Sequence, residues 1–150
     1  MNMENLHASE FNKIAENIEN IDTPHDSRMR VLVVDDEPVI VDVISELLGE
    51  AYIVDKAYTV HEAYSLLDAK SYDVLLTDYN MPGMSGTMLG KIAKEKHGGC
   101  KVVIITGSDE TEAIRSEGSS DAIVRKPVRW SSFMSIMNGF SETRSSKAKP

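Results

Sequence analysis

The sequence predicts an α/β fold, a doubly wound five-stranded parallel sheet of order 2-1-3-4-5 with helices on both faces. Three observations carry that prediction. Short apolar runs rich in β-branched residues recur along the chain, each too short for a helix and apolar on both faces, as buried parallel strands are. Between them lie stretches whose apolar residues return at helical spacing. The two patterns alternate, which calls for crossover connections, and right-handed crossovers favour this strand order.

Each element has its own signature. Val31–Val34 is the first strand, and Pro38 stands where a helix can begin. Ile40, Val43, Ile44, Leu47 and Leu48 give that helix its apolar stripe, and Gly49 can close it. Tyr52–Val54 is the second strand. Thr59 and Glu62 form a capping box ahead of a helix through Ala63, Leu66 and Leu67. Val74–Thr77 is the third strand. The glycine-containing loop 82–86 leads into a helix through Met88, Leu89, Ile92 and Ala93. Val102–Ile105 is the fourth strand, followed by a short helix from Asp109 to Ser116. Ala122–Val124 is the fifth, followed by a helix from about Arg129 to Asn138.

Composition narrows the function classes. The 150 residues carry 16 Lys+Arg against 24 Asp+Glu, a formal net charge of −8. Such a far field repels phosphates and argues against nucleic acid or an anionic membrane as a general partner. The apolar share of 41 % suits a packed core. The one cysteine, Cys100, cannot form an internal disulfide and is expected to be inert. No apolar run reaches the length of a membrane span, and residues 1–22 are too polar for a signal peptide. A cytoplasmic protein is the expectation. Residues 1–28 read as an acidic amphipathic extension, 29–140 as one domain and 141–150 as a polar flexible tail. In the extension Phe11, Ile14, Ile18 and Ile21 form one helical stripe, expected to pack on its own domain, pair with a second copy, dock to a partner or stay partly disordered.

In a doubly wound sheet the reactive site lies beyond the carboxyl ends of the strands. Asp35 and Asp36 follow strand one, Asp78 and Asn80 strand three, Thr106 strand four and Lys126 strand five. The fold order thus gathers three carboxylates, a hydroxyl and an ammonium. Crowded carboxylates repel, so a proton or a cation must join them. Oxygen ligands with room for water suit Mg²⁺. A phosphoryl group balances the set, since its oxygens can meet metal, lysine and hydroxyl together, and a carboxylate can itself be the nucleophile.

Here the chain closely resembles the receiver domain of bacterial two-component response regulators, a flavodoxin-like fold. The carrying residues are Val31–Asp36 (VLVVDD), Asp78–Gly86 (DYNMPGMSG), Thr106-Gly107 and Lys126-Pro127. Each motif is common alone; all of them in order, each at a strand end, form a joint signal. The resemblance implies that Asp78 accepts the phosphoryl group and that Asp36, Asp78 and the Asn80 backbone carbonyl ligate Mg²⁺, with Asp35 helping through water. It implies that Lys126 pairs with the acceptor and its phosphoryl oxygens, that Thr106 is a switch hydroxyl and that Pro127 follows a cis peptide. It also implies a sensor histidine kinase or histidine phosphotransfer protein as donor and a downstream protein as target.

The chain departs from the family pattern on one face. Ile123 stands three residues before the lysine, where an aromatic side chain is usual. The stretch from Thr106 to Lys126 is slightly short, and Ser119 replaces a usual glycine. These departures put the readout in question, not the chemistry. No segment after the last helix is long enough for a helix-turn-helix domain, so a stand-alone phosphoacceptor that is not an enzyme on external substrates is expected. The rival from another class is a phosphorylation-independent adaptor on the same scaffold. A small-molecule enzyme fits poorly, because an acidic VLVVDDEP stands where a glycine-rich nucleotide loop would follow strand one.

The remaining conspicuous residues have ordinary readings. His7, His25, His61 and His97 flank no acidic cluster and are expected to be solvent-exposed. Trp130 and Phe133 read as packing groups of the last helix. Met81, Met84 and Met88 lie near the acceptor and could form an adaptable surface.

Overall fold

A computed structural model describes residues 26–148, with side chains described to residue 144. The strands are β1 (Arg30–Val34), β2 (Ile53–Ala57), β3 (Val74–Asp78), β4 (Lys101–Thr106) and β5 (Ala122–Arg125). The helices between and after them are α1 (Pro38–Leu48), α2 (Val60–Ala69), α3 (Gly86–Lys96), α4 (Thr111–Ser116) and α5 (Trp130–Ala148). All strand pairings are parallel and the order is β2-β1-β3-β4-β5, as the alternation of patterns predicts.

The sheet separates two apolar clusters, because successive side chains of a strand point to opposite faces. Val31, Val33, Leu76, Val103 and Ile105 meet Val41, Ile44 and Leu48 of α1 and Phe133 and Met137 of α5 on one face. Leu32, Val34, Leu75, Val102 and Ile104 meet Ala63 and Leu67 of α2, Leu89 and Ala93 of α3 and Ile114 of α4 on the other. Burying each large side chain stabilises the fold by roughly 1.5–3 kcal/mol. β3 is buried along its whole length, which explains its unbroken apolar run and fixes Asp78 at the end of the central strand.

Local chemistry sets the helix ends. Pro38 opens α1, and the chain turns at Gly49 through a short 3-10 segment, Gly49–Ala51. Thr59 caps α2 by accepting from the Glu62 amide at 3.1 Å. Glu62 returns the bond to the Tyr58 amide at 2.8 Å, one residue earlier than the usual reciprocal box. Ser85 caps α3 through the Met88 amide at 3.3 Å.

Four sequence expectations need correction. β2 extends to Ala57, because Asp55 and Lys56 continue the pairing with β1 despite their polarity. α4 begins at Thr111 rather than Asp109, since Ser108 and Glu110 are tied into the preceding bend by side-chain bonds. The sequence predicts a last helix ending near Asn138 with 141–150 as a tail, but α5 runs to Ala148. No proline interrupts it, and Arg144 donates to the Ser27 carbonyl at 3.1 Å and lies 3.8 Å from Asp73. His97 is half-buried rather than exposed, its Nε2 2.9 Å from the Leu67 carbonyl. His61 is exposed as expected. The stripe of Phe11, Ile14, Ile18 and Ile21, with His7 and His25, lies outside the described residues.

Candidate functional site

The parallel sheet brings the carboxyl ends of β1, β3, β4 and β5 side by side. Asp35 and Asp36 leave β1, Asp78 ends β3, Thr106 ends β4 and Lys126 follows β5. Asp35, Asp36 and Asp78 each place a carboxylate oxygen within 4.8 Å of the others'. Asp35 is 2 % exposed and Asp78 9 %, while Asp36 faces solvent. Lys126 reaches across the sheet, its Nζ 3.2 Å from Asp35 Oδ2 and 3.5 Å from Asp78 Oδ1. Its amide donates to the Thr106 carbonyl at 2.8 Å, prolonging the β4–β5 ladder, and the Lys126–Pro127 peptide is cis as expected.

Backbone groups hold the two buried carboxylates. Asp35 Oδ1 accepts from the Glu37 amide at 3.0 Å, and Asp78 Oδ1 from the Tyr79 amide at 3.0 Å. The loop after β3 folds tightly over the strand end. The Gly86 amide donates to the Tyr79 carbonyl at 2.8 Å, and a Cβ at Gly86 would sit 2.1 Å from the Asp78 carbonyl oxygen. Only glycine permits that approach.

Burial raises the Asp78 carboxyl above the ordinary aspartate range, and the neighbouring Asp35 charge adds to the rise; Lys126 offsets part of it. For Lys126 burial works against the charge. Asp78 and Asp35 outweigh it, and the ammonium is held above the usual lysine value. One ammonium thus answers three carboxylates, and the excess negative charge is what a divalent cation would neutralise. The oxygen-only donor set and the open side at Asp36 suit a hard ion that keeps water. Asn80 is exposed in the bend after β3, and its place near the cluster rests on that position alone.

Thr106 is 1 % exposed, and its hydroxyl is engaged with Ser108 rather than with the acidic cluster. The two hydroxyl oxygens are 3.0 Å apart, and the Ser108 amide donates to Thr106 Oγ1 at 3.2 Å. Sequence reading missed this partner, which shows only as a serine two residues beyond a strand end. It also missed a polar network at α4. There Glu117 accepts from the Tyr79 hydroxyl at 3.1 Å and from the Thr87 hydroxyl. Ser119, the residue in place of a glycine, is buried and donates to the Thr87 carbonyl at 2.8 Å.

Cys100 is buried, and burial pushes its thiol up to about 12, which fits the inert reading. Phe133 is buried and Trp130 half-buried, with ring centroids 5.2 Å apart. Beside the acidic cluster runs an apolar groove between α1 and the start of α5, lined by Val39, Val43, Leu47, Pro127 and Trp130. Among the described residues no helix is long and apolar enough to cross a membrane.

Comparison with known proteins agrees with this geometry. The family described as "Response regulator receiver domain" matches residues 31–138. The chain is 34 % identical over 104 residues to the regulatory protein VanR of Enterococcus faecium, covering 67 % of this chain and 44 % of that one. It is 33 % identical over 106 residues to a cyclic di-GMP phosphodiesterase of Thermotoga maritima, covering 67 % of this chain and 27 % of that one. The match therefore spans less than half of either relative's length. A CheY-like receiver domain from Methanospirillum hungatei superposes with a TM-score of 0.73 at 27 % identity, over 81 % of this chain and all of that one. The response regulator TrrA of Thermotoga maritima, solved with Mg²⁺ and beryllofluoride, superposes at 0.67 with 28 % identity, over 75 % of this chain and 98 % of that one. With the family model matched over residues 31–138 and the sheet in the order β2-β1-β3-β4-β5, the chain belongs to the response regulator receiver domains.

Proposed function

We propose that this chain is a phosphorelay receiver whose acceptor is Asp78. The observation that supports it most is the trio Asp35, Asp36 and Asp78 with Lys126 Nζ 3.2 and 3.5 Å from its two buried members. In the proposed step an Asp78 carboxylate oxygen attacks phosphorus. The O–P bond forms as the N–P bond of a phosphohistidine breaks, and the imidazole nitrogen keeps the electron pair and takes a proton from solvent. Asp36, Asp78 and the Asn80 carbonyl would hold Mg²⁺, with Asp35 acting through water. The ion would supply charge neutralisation for the loose transition state. Lys126 orients the acceptor and meets the negative charge that builds on the phosphoryl oxygens. The Thr106 hydroxyl would leave its Ser108 partner to turn toward those oxygens.

The donor is a histidine kinase or a histidine phosphotransfer protein. Val39 and Leu47 are 72 % and 53 % exposed on α1, beside a groove that ends at Lys126. A helical donor resting its apolar face there brings an imidazole to the cluster. Output passes to a downstream protein in the cytoplasm, and the chain turns over no external substrate. Titration with Mg²⁺ and beryllofluoride tests the reading. The full chain is expected to show protein-bound fluorine resonances that Asp78→Asn lacks. Their absence from the folded wild type overturns it. The second reading, a phosphorylation-independent adaptor, is favoured by Ile123 and by the Thr106–Ser108 bond. That absence is the result it requires.

A further inference from the structure

Tyr79 touches both halves of the domain. Its amide donates to the Asp78 carboxylate at 3.0 Å and to the Ile105 carbonyl at 3.1 Å, so its backbone is tied to both the acceptor and β4. Its hydroxyl donates to Glu117 Oε1 at 3.1 Å, 38 residues away in sequence. Glu117 is the C-terminal cap of α4, where its own amide donates to the Ala113 and Ile114 carbonyls at 3.3 Å. Its second oxygen accepts from Thr87 in the first turn of α3, and Thr87 is bonded in turn by Ser119 and Ser85. Gly118, with φ of +79°, then turns the chain toward β5, a conformation that suits glycine.

α4 is otherwise lightly held. It has 6 residues, no side-chain cap at its start, and Ile114 as its one buried residue. Segments with so few buried groups open first. The carboxylate of Glu117, holding two hydroxyls through charge-assisted bonds, is thus a principal tie of α4 to the body of the domain. Nearby, half-buried Ile123 packs against the same apolar cluster as Tyr79 but carries no polar atom.

We infer that Tyr79 links the state of the acceptor to α4, its amide sensing the Asp78 carboxylate and its phenol holding or releasing Glu117. The inference rests on Asp78 being the phosphoryl acceptor. Converting that carboxylate into an acyl phosphate changes the acceptor that the Tyr79 amide faces. The phenol moves with the backbone, the Tyr79–Glu117 bond breaks, and α4 is freed. The output surface is then α4 and the turn at Gly118, rather than a ring at position 123.

Hydrogen exchange of residues 109–118 in the full chain tests this, with and without Mg²⁺ and beryllofluoride, occupancy being read separately from the bound fluorine signal. At equal occupancy the wild type is expected to exchange there roughly fivefold faster or more when the analogue is bound, the span of ordinary coupling. Tyr79→Phe is expected to exchange fast already without analogue, with the analogue-induced step reduced below about twofold. Glu117→Gln, which keeps an acceptor for the phenol, is expected to retain part of the step. A bound fluorine signal with unchanged exchange in the wild type overturns the inference, as does a full step in Tyr79→Phe. Absence of any bound signal overturns the phosphoryl reading itself, and the inference with it.

Discussion

At the acidic pocket charged groups from strands far apart in sequence answer one another; a few residues away, on the α4–β5 face, an isoleucine stands where receiver domains usually carry an aromatic ring. The pocket is built from strand ends, and its parts are fixed by the parallel register. Lys126 Nζ comes within 3.5 Å of both Asp35 and Asp78 because β1, β3 and β5 end at the same edge. The α4–β5 face is built from the short helix α4, with Ile114 as its one buried residue, and the edge strand β5. On the proposed reading, the strand-end region carries the chemistry and the lightly held α4 face carries the output.

The sharpest way to break this contrast is at Lys126. Lys126→Ala removes the cation from the pocket but none of the proposed metal ligands. Its rate of phosphoryl acceptance from acetyl phosphate is expected to fall on the order of 100-fold, the size typical of losing one charge-stabilising group. Mg²⁺ affinity measured by calorimetry should stay level or rise, since the carboxylates lose their competing cation. Equal loss of both would mean that the lysine builds the site rather than serving the transfer.

Mg²⁺ itself gives the next largest effect. At a hundred times its dissociation constant it should stabilise the chain by about 2.7 kcal/mol, read as a rise in thermal midpoint. Asp36→Ala should remove most of that rise, because the ligand lost is the solvent-facing one that completes the trio. An unchanged rise would place the ion elsewhere.

Asp78→Asn, in the absence of metal, should stabilise the chain by about 1 kcal/mol at neutral pH, a few degrees for a domain of this size. The sign follows from the raised acceptor carboxyl. A carboxyl raised on folding contributes stability below its unfolded value and loses it as pH rises through the folded one. The advantage of the amide is therefore expected to vanish in acid, where both side chains are neutral, and to grow as pH climbs through the raised Asp78 value. Parallel stability curves would contradict the crowding of charges in the pocket.

The smallest effect is expected on the other face. Ile123→Phe should change the rate of phosphoryl acceptance by less than about twofold, since position 123 makes no polar contact with the pocket, and should cost about 1 kcal/mol in packing. A large change in rate would show that the two regions are coupled through β5.

The fold was legible in the sequence because strands buried on both faces must be apolar throughout, and Val31–Val34, Val74–Thr77 and Val102–Ile105 carry that mark. The candidate site was legible for a related reason. A parallel sheet converts strand ends into neighbours, so residues 35, 36, 78 and 126 needed only the strand order to meet, while the Thr106 hydroxyl bonds Ser108 instead. The ends of elements were harder. The last turns of α5 carry polar residues, and Arg144 there reaches Ser27 and Asp73, contacts with no local signal. The Tyr79–Glu117–Thr87 network was hidden likewise, for a hydroxyl and a carboxylate 38 residues apart show no spacing that marks them as partners. Ser119 registered only as a missing glycine; its bond to Thr87 supplies the reason for the serine.

The most direct test of the central proposal is to incubate the full chain with acetyl phosphate and Mg²⁺ and locate the phosphoryl group by mass spectrometry. The expected result is one hydroxylamine-labile phosphoryl group on Asp78, absent without Mg²⁺ and absent from Asp78→Asn. A folded wild type that takes up no phosphoryl group, or a variant that still does, would contradict it.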